Sequence, residues 1–120
     1  MHELSIAMSI IDIASEESRA RGDAAILAVH VKIGRMSGVV IDALRSAFDI
    51  ARQDTVLADA ELVIEDVPVM LHCLKCDGEQ LADSIQSLCC GVCGTISPKI
   101  TRGCELEVVA VELEPEEQLQ

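Results

Sequence analysis

Four cysteines in the second half of the chain carry the clearest chemistry. Cys73-Leu74-Lys75-Cys76 and Cys90-Gly91-Val92-Cys93 are each a Cys-x-x-Cys, with thirteen residues between Cys76 and Cys90. A two-residue gap lets both sulfurs of a tight turn reach one ion from the same side. Two such turns facing each other supply four thiolates in a tetrahedron, the donor set of a structural zinc site. The intervening loop is slightly short for this pattern but long enough to bring the turns together. Gly78 and Gly94 lie just past the two pairs, where a chain that doubles back favours a residue without a Cβ. The competing reading is two disulfides or four buried thiols, and matched pairs at this spacing favour the metal over it. Cys89 is a potential substitute for Cys90, but the spacing to Cys93 and Gly94 favours Cys90. Cys104 is read as a small packing residue.

A second constellation stands at the other end. Met1-His2-Glu3 places an α-amine one residue from an imidazole. Methionine ahead of a bulky histidine is expected to be retained. The amine nitrogen, the deprotonated His2 amide nitrogen and His2 Nδ1 can then close adjacent chelate rings in one plane. Planar nitrogen ligation suits Ni(II) or Cu(II) and not tetrahedral zinc. The amine titrates near pH 8 and imidazole near 6.5, so protons compete with metal in the physiological range. On the residues alone, the plainer alternative is an exposed histidine beside a helix start. No nucleophile–base pair is apparent among the scattered serines and three histidines, so the chain is not read as an enzyme.

These sites must be held by a core without large aromatics. Half of the 120 residues are apolar, yet Trp and Tyr are absent and Phe48 is the only aromatic. Leu, Ile, Val, Met and Ala must fill the interior. With 21 acidic and 9 basic residues the formal charge is −12, which argues against a surface that grips phosphate backbones and so against nucleic acid. It favours partners with basic patches, or cationic cargo. The opening has no basic stretch of an export signal, and nothing reaches transmembrane length. Paired cysteines without an export signal fit metal ligation in a reducing cytoplasm.

Residues 3 to 21 predict an amphipathic helix, with Leu4, Ala7, Met8, Ile11 and Ala14 on one face, Ile6, Ile10 and Ile13 widening it, and Met8 as core filler. Gly22 is the expected stop. Residues 26 to 33 predict a strand, Val29, Val31 and Ile33 alternating with an outward His30 and Lys32. A turn from Gly34 to Gly38 leads to a second helix over roughly 40 to 53, striped by Ile41, Leu44, Phe48 and Ala51. A strand follows over 60 to 67, ended by Pro68, and its distance from the first permits a right-handed crossover. A last strand resumes at Glu105, with Leu106, Val108 and Ala110 on one face and a slip of phase near Val109. The polar tail from Glu114 is expected to fray. Because the sheet needs its final strand, the cysteine module reads as an insertion. The expected class is α+β: a small three-stranded mixed sheet with two helices, plus an inserted zinc-ribbon-like four-cysteine domain. The boundaries are 1–68 and 104–120 for the α/β domain and 69–103 for the zinc-binding domain.

Taken together, the chain resembles the HypA/HybF family of hydrogenase nickel-incorporation proteins almost end to end. The resemblance is carried by Met1-His2-Glu3-Leu4-Ser5, Val31-Lys32-Ile33-Gly34, Ala43-Leu44-Arg45-Ser46-Ala47-Phe48, Val67-Pro68-Val69, the two cysteine pairs with Gly94, and Gly103-x-Glu105-Leu106. It implies a cytoplasmic nickel metallochaperone that delivers Ni(II) to the large subunit of NiFe-hydrogenase. The family works with the maturation GTPase HypB, and some members serve urease and its maturation proteins. By position, Met1 and His2 would be primary nickel donors, with Glu3 giving its backbone amide or side chain. Cys73, Cys76, Cys90 and Cys93 would bind a structural Zn(II). The resemblance implies no nucleic-acid or membrane partner. Two positions depart from the family pattern: Gly91 stands where proline is frequent, and Asp77 precedes Gly78. The alternative function is a zinc-ribbon interaction adaptor with an inert amino terminus.

Overall fold

A computed structural model describes residues 2–115. Met1, and the tail beyond Pro115, lie outside the described residues. The elements in chain order are α1 (Glu3–Ala20), β1 (Ile26–Gly34), α2 (Ile41–Ala51), β2 (Glu61–Val67), β3 (Met70–Cys73), β4 (Gly78–Leu81), β5 (Ile100–Arg102) and β6 (Leu106–Leu113). Two three-stranded sheets form, ordered β2-β1-β6 and β4-β3-β5. The chain divides into two compact units, one of residues 1–31, 39–64 and 108–120, the other of residues 32–38 and 65–107. The class is α+β, as the alternation of periods predicts.

In the first unit α1 packs against α2. The buried positions of α1 are Ala7, Ile10, Ile11, Ala14 and Ser18, steps of three and four that one helical face must share. Ser18 is held there by donating its hydroxyl to Ala24 O at 2.5 Å. The expected face is displaced, however. Met8 is 55% exposed rather than core filler, and Leu4, one turn earlier, is exposed as well. The interior side of α1 is lined by alanines that allow close approach, and this centres the buried arc on the Ala7–Ala14 line, leaving Leu4 and Met8 on its border. On α2 the buried pair is Leu44 and Phe48, with Ile41 and Ala51 half-buried at the margins of the stripe.

Arg45 of α2 and Arg52, the C-cap of that helix, reach the chain at the start of β2. Arg45 Nη1 donates to Leu62 O at 3.0 Å and Arg52 Nη1 to Ala60 O at 2.6 Å. β2 stands at one end of its sheet, where carbonyls lack a neighbouring strand. The guanidinium of Arg52 also lies 5.8 Å from the Phe48 ring centroid, within reach of a cation–π attraction. At the other edge of the sheet, β6 shows the predicted slip of phase. Val108, Val111 and Leu113 are its half-buried positions, three and then two apart, while Leu106, Val109 and Ala110 are exposed. The expected face of Leu106, Val108 and Ala110 is thus corrected. Glu114 is not frayed: its N–H donates to Ala25 O at 2.8 Å.

In the second unit the turn after β1 meets the chain on both sides of the cysteine module. Arg35 N–H donates to Val67 O at 3.0 Å, Met36 N–H to Gly103 O at 2.7 Å, and Gly34 N–H to Glu105 O at 2.7 Å. This crossing admits no side chain. A Cβ on Gly34 would stand 2.0 Å from Gly103 O, and Gly103 itself has φ +119° with Val69 Cα 2.9 Å from its own missing Cβ.

These contacts rank the costs of substitution. Phe48→Ala empties a fully buried site and should cost about 3–5 kcal/mol, whereas Met8→Ser should stay within about 0.5 kcal/mol of the parent. Gly34→Ala should destabilise far more than Gly78→Ala, whose Cβ meets only open space. Urea unfolding of the four variants measures the order, and a Met8→Ser cost near that of Phe48→Ala would refute it.

Candidate metal centre

The four paired cysteines stand on two turns built by the same backbone device. β3 ends at Cys73, which lies opposite Gly78 in the antiparallel register with β4. The chain therefore reverses over Leu74–Asp77, and the Cys76 N–H donates to Cys73 Sγ at 3.4 Å. In the second turn the Val92 N–H donates to Cys90 Sγ at 3.4 Å. Gly94 N–H returns to Cys90 O at 2.8 Å, and Cys90 N–H to Thr95 O at 2.8 Å. Each turn closes through the residue directly after its second cysteine, which is left-handed: Asp77 at φ 56° and Gly94 at φ 75°. The expectation for Gly94 holds. In the first turn that conformation falls on Asp77 and not on Gly78, within the tolerance of a short polar side chain for this region.

The second turn is fastened to the end of β4. Asp83 N–H donates to Cys89 O at 2.9 Å and Gly91 N–H to Leu81 O at 2.8 Å. This accounts for glycine at position 91. A proline there has no N–H to give, and a Cβ would stand 2.8 Å from Leu81 O. Behind the turns lies a small core of Val69, Leu71, Cys73, Ala82 and Cys90, with Cys76, Cys93 and Ile100 packed against it. The first cysteine of each pair is buried and the second half-buried.

The sulfurs of Cys73, Cys76, Cys90 and Cys93 all lie within 4.8 Å of one another. Hydrogen-bonding approaches run across the pairs, Cys73 to Cys93 at 3.5 Å and Cys76 to Cys90 at 3.8 Å. A disulfide holds its sulfurs at about 2.05 Å, so these are four free thiols. Bonds of about 2.3 Å to one tetrahedral ion would separate the sulfurs by about 3.8 Å. The donor set and its spacing thus fit a soft, tetrahedral metal ion. Their protons are unequal. The Thr95 hydroxyl, whose Oγ1 is 3.2 Å from Cys93 Sγ, and the Thr95 N–H draw the Cys93 thiol down to about 6. Cys76, hydrogen-bonded to Cys93 and desolvated, is pushed up to about 12. Four crowded sulfurs resist common ionisation, and a divalent cation removes that resistance.

Of the remaining cysteines, Cys89 is half-buried and outside the cluster. Cys104 is exposed, so it is not the packing residue its size suggests. The buried glycine before it takes the close contact with Val69 and leaves the thiol outside. Nothing in the sequence marks Thr95 as part of the site except a hydroxyl two residues past a cysteine.

The amino-terminal residues lie in the first unit. His2 is exposed and precedes α1 as its N-cap, its carbonyl accepting from the Ile6 N–H at 3.2 Å. Glu3 opens the helix, and its Oε2 accepts from the Val40 N–H at 3.3 Å. That bond, and then its own N–H, hold the Glu3 carboxyl below the usual range. Val40 is the N-cap of α2, a partner 37 positions away that no local pattern announces. Met1 lies outside the described residues, so the α-amine is not placed. Among the described residues the four cysteines are the one group of three or more His, Cys, Asp or Glu side chains placed to share a metal ion.

Two outcomes follow from the geometry. Chelation should loosen residues 69–103, whose small core cannot order them alone, and leave α1 and α2 intact; amide exchange that stays unchanged in 69–103 would contradict this. Thr95→Val should raise the Cys93 thiol, so protons displace the metal at higher pH. The midpoint of acid release, followed with a metallochromic dye, should move upward by up to about one pH unit.

Comparison with known proteins agrees with this arrangement. A sequence model of the family described as hydrogenase/urease nickel incorporation, metallochaperone, hypA, matches residues 1–113. The hydrogenase maturation factor HypA of Chloroflexus aurantiacus is 46% identical over 112 residues, covering 93% of this chain and 98% of that one. Its counterpart in Roseiflexus sp. is 41% identical over 114 residues, covering 95% and 93%. Among solved structures, a solution structure of HypA protein superposes with a TM-score of 0.69 at 30% identity, covering 97% and 98%. The solution structure of the Ni metallochaperone HypA from Helicobacter pylori gives 0.62 at 28%, covering 97% and 100%. With its paired-cysteine cluster, its two helices and a match spanning nearly the whole sequence, this chain belongs to the HypA family of nickel-incorporation metallochaperones.

Proposed function

We propose that this protein is a non-enzymatic carrier that takes Ni(II) at its amino terminus and delivers it during maturation of NiFe-hydrogenase in the cytoplasm. The Met1 amine and the amide and Nδ1 nitrogens of His2 are the donors, with the Glu3 backbone amide beside them. Cys73, Cys76, Cys90 and Cys93 hold a structural Zn(II) that orders residues 69–103, the domain inserted into the nickel-binding domain of 1–68 and 104–120. The receiving partners are the GTPase HypB and the hydrogenase large subunit, with urease maturation proteins as a second destination. The reading rests on family membership and on one local feature.

That feature is the exposed His2 directly ahead of α1. The first four N–H groups of a helix have no acceptor within it, so a metal can take an amide nitrogen there without breaking a helical hydrogen bond. The partial positive charge of a helix amino terminus opposes a cation. A deprotonated amide nitrogen answers this by bringing negative charge with it. The Glu3 carboxylate is already committed to Val40 N–H, which favours its backbone over its side chain as a donor.

Nickel binding should therefore depend on the free amine and on His2. Extending the chain by one residue turns the Met1 amine into an amide and should weaken Ni(II) as severely as His2→Ala, with zinc content and fold unchanged. Glu3→Gln keeps an oxygen for Val40 N–H and should lose less than about tenfold. Calorimetric titration of the parent and the three variants with Ni(II) tests this. Parent-like affinity in the extended chain would remove the amine from the site.

A further inference from the structure

Three of the described side chains are far more exposed than their chemistry favours, and all three belong to the cysteine turns. Leu74 is 83% exposed, Ile96 76% and Val92 72%, more than any other large apolar residue described. Leu74 adjoins Cys73, Val92 adjoins Cys93, and the sulfurs of those two cysteines are 3.5 Å apart. Ile96 follows on the same hairpin as Val92, its backbone bridged to Cys89. The turns do not require these side chains. The hydrogen bonds that shape them are backbone to sulfur and backbone to backbone, which alanine or serine would preserve. Exposed apolar groups gathered on rigid turns mark a contact surface.

The charges say what kind. Within 69–103, Lys75, Lys99 and Arg102 balance Asp77, Glu79 and Asp83, so the whole excess of −12 lies outside the module. Arg102 is paired with Glu79 at 3.8 Å. Lys75, between Leu74 and Cys76, and Lys99, three residues past Ile96, are exposed and make no ion pair among the described residues. Asp77 closes the Cys73 turn two residues past Lys75, and Asp83 follows the end of β4; neither makes an ion pair with the two lysines. A second copy of this chain, carrying the same large negative charge, is repelled at long range. We infer that Leu74, Val92 and Ile96, with Lys75 and Lys99 at their border, form a docking surface for a protein partner whose apolar contact face is bordered by carboxylates. This surface lies in the second unit, whereas the proposed nickel donors lie in the first, and it rests on the reading of the four cysteines as a metal centre only in that the metal holds the turns rigid.

The test uses the full, zinc-loaded chain, with zinc content measured first so that loss of the centre is distinguished from loss of docking. Two synthetic amphipathic helical peptides serve as probes, each with a leucine face, one bordered by glutamates and one by lysines. With isotope-labelled protein, the glutamate-bordered peptide should shift the amides of residues 74, 75, 92, 96 and 99. The lysine-bordered peptide, drawn to acidic residues elsewhere, should leave those amides in place. Leu74→Ser with Ile96→Ser should weaken the first peptide by about tenfold or more at unchanged zinc content. Lys75→Glu with Lys99→Glu should transfer the preference for these residues to the lysine-bordered peptide. Binding of neither peptide at these residues, equal effects of both there, or double variants without effect would overturn the proposal. So would self-association in sedimentation that Leu74→Ser abolishes, since the surface would then serve a second copy.

Discussion

Four sulfur atoms within 4.8 Å of one another are costly neighbours unless something positive stands among them. The rest of the module is arranged around that constraint. Its core has a few aliphatic residues besides the cysteines, too little to pay for ordering 35 residues. Its strands are three and four residues long. The backbone meets the constraint with one repeated device, an N–H to the first sulfur and a left-handed residue after the second. That device works with aspartate in one turn and glycine in the other because only the backbone conformation matters there. Ionisation is shared out in the same spirit, with Thr95 favouring one thiolate while another thiol keeps its proton until a cation claims it.

The metal site proposed for the amino terminus would work by a different logic. A helix end offers unpaired N–H groups and a partial positive charge, which suits anions. A cation is held there only through nitrogens that shed protons, and this makes such a site sensitive to pH and easy to unload. That is what a carrier needs and what a structural site must avoid. The Glu3 carboxylate accepts from the Val40 N–H at the start of α2 and so ties the first turn of α1 to it. On the proposed function, soft thiolates on closed turns and hard-to-ionise nitrogens at an exposed end would separate a resident ion from a transferred one.

Charge divides the surface along the same line. The module is balanced and tipped with apolar side chains, while the remaining residues carry the full −12. An acidic body attracts basic partners over several ångströms and weakens with salt, whereas apolar tips act only on contact. The edge strand β2 is covered at its start by Arg45 and Arg52, which spend two of nine basic residues on backbone carbonyls.

The cysteine cluster was legible because its information is local. Two residues between ligands determine a turn, and two matching turns imply one ion. The helices and the strands β1, β2 and β6 were legible from their periods, as was the phase slip in β6, whereas β3, β4 and β5 were not, since runs of three and four residues show no period. What the sequence could not display were relations set by distant chain. Whether Met8 or Ile10 faced inward depended on where the neighbouring layer stood, because an isoleucine-rich helix has more apolar residues than one face can bury. Cys104 faced solvent because the glycine before it took the close contact. Glu3 found its partner at Val40, and Gly34 was required by the backbone of Gly103 crossing over it. Spacing along the chain therefore determined which atoms could share an ion. Only the tertiary structure decided which side chains were left outside, since burial depends on what stands opposite and not on what comes next.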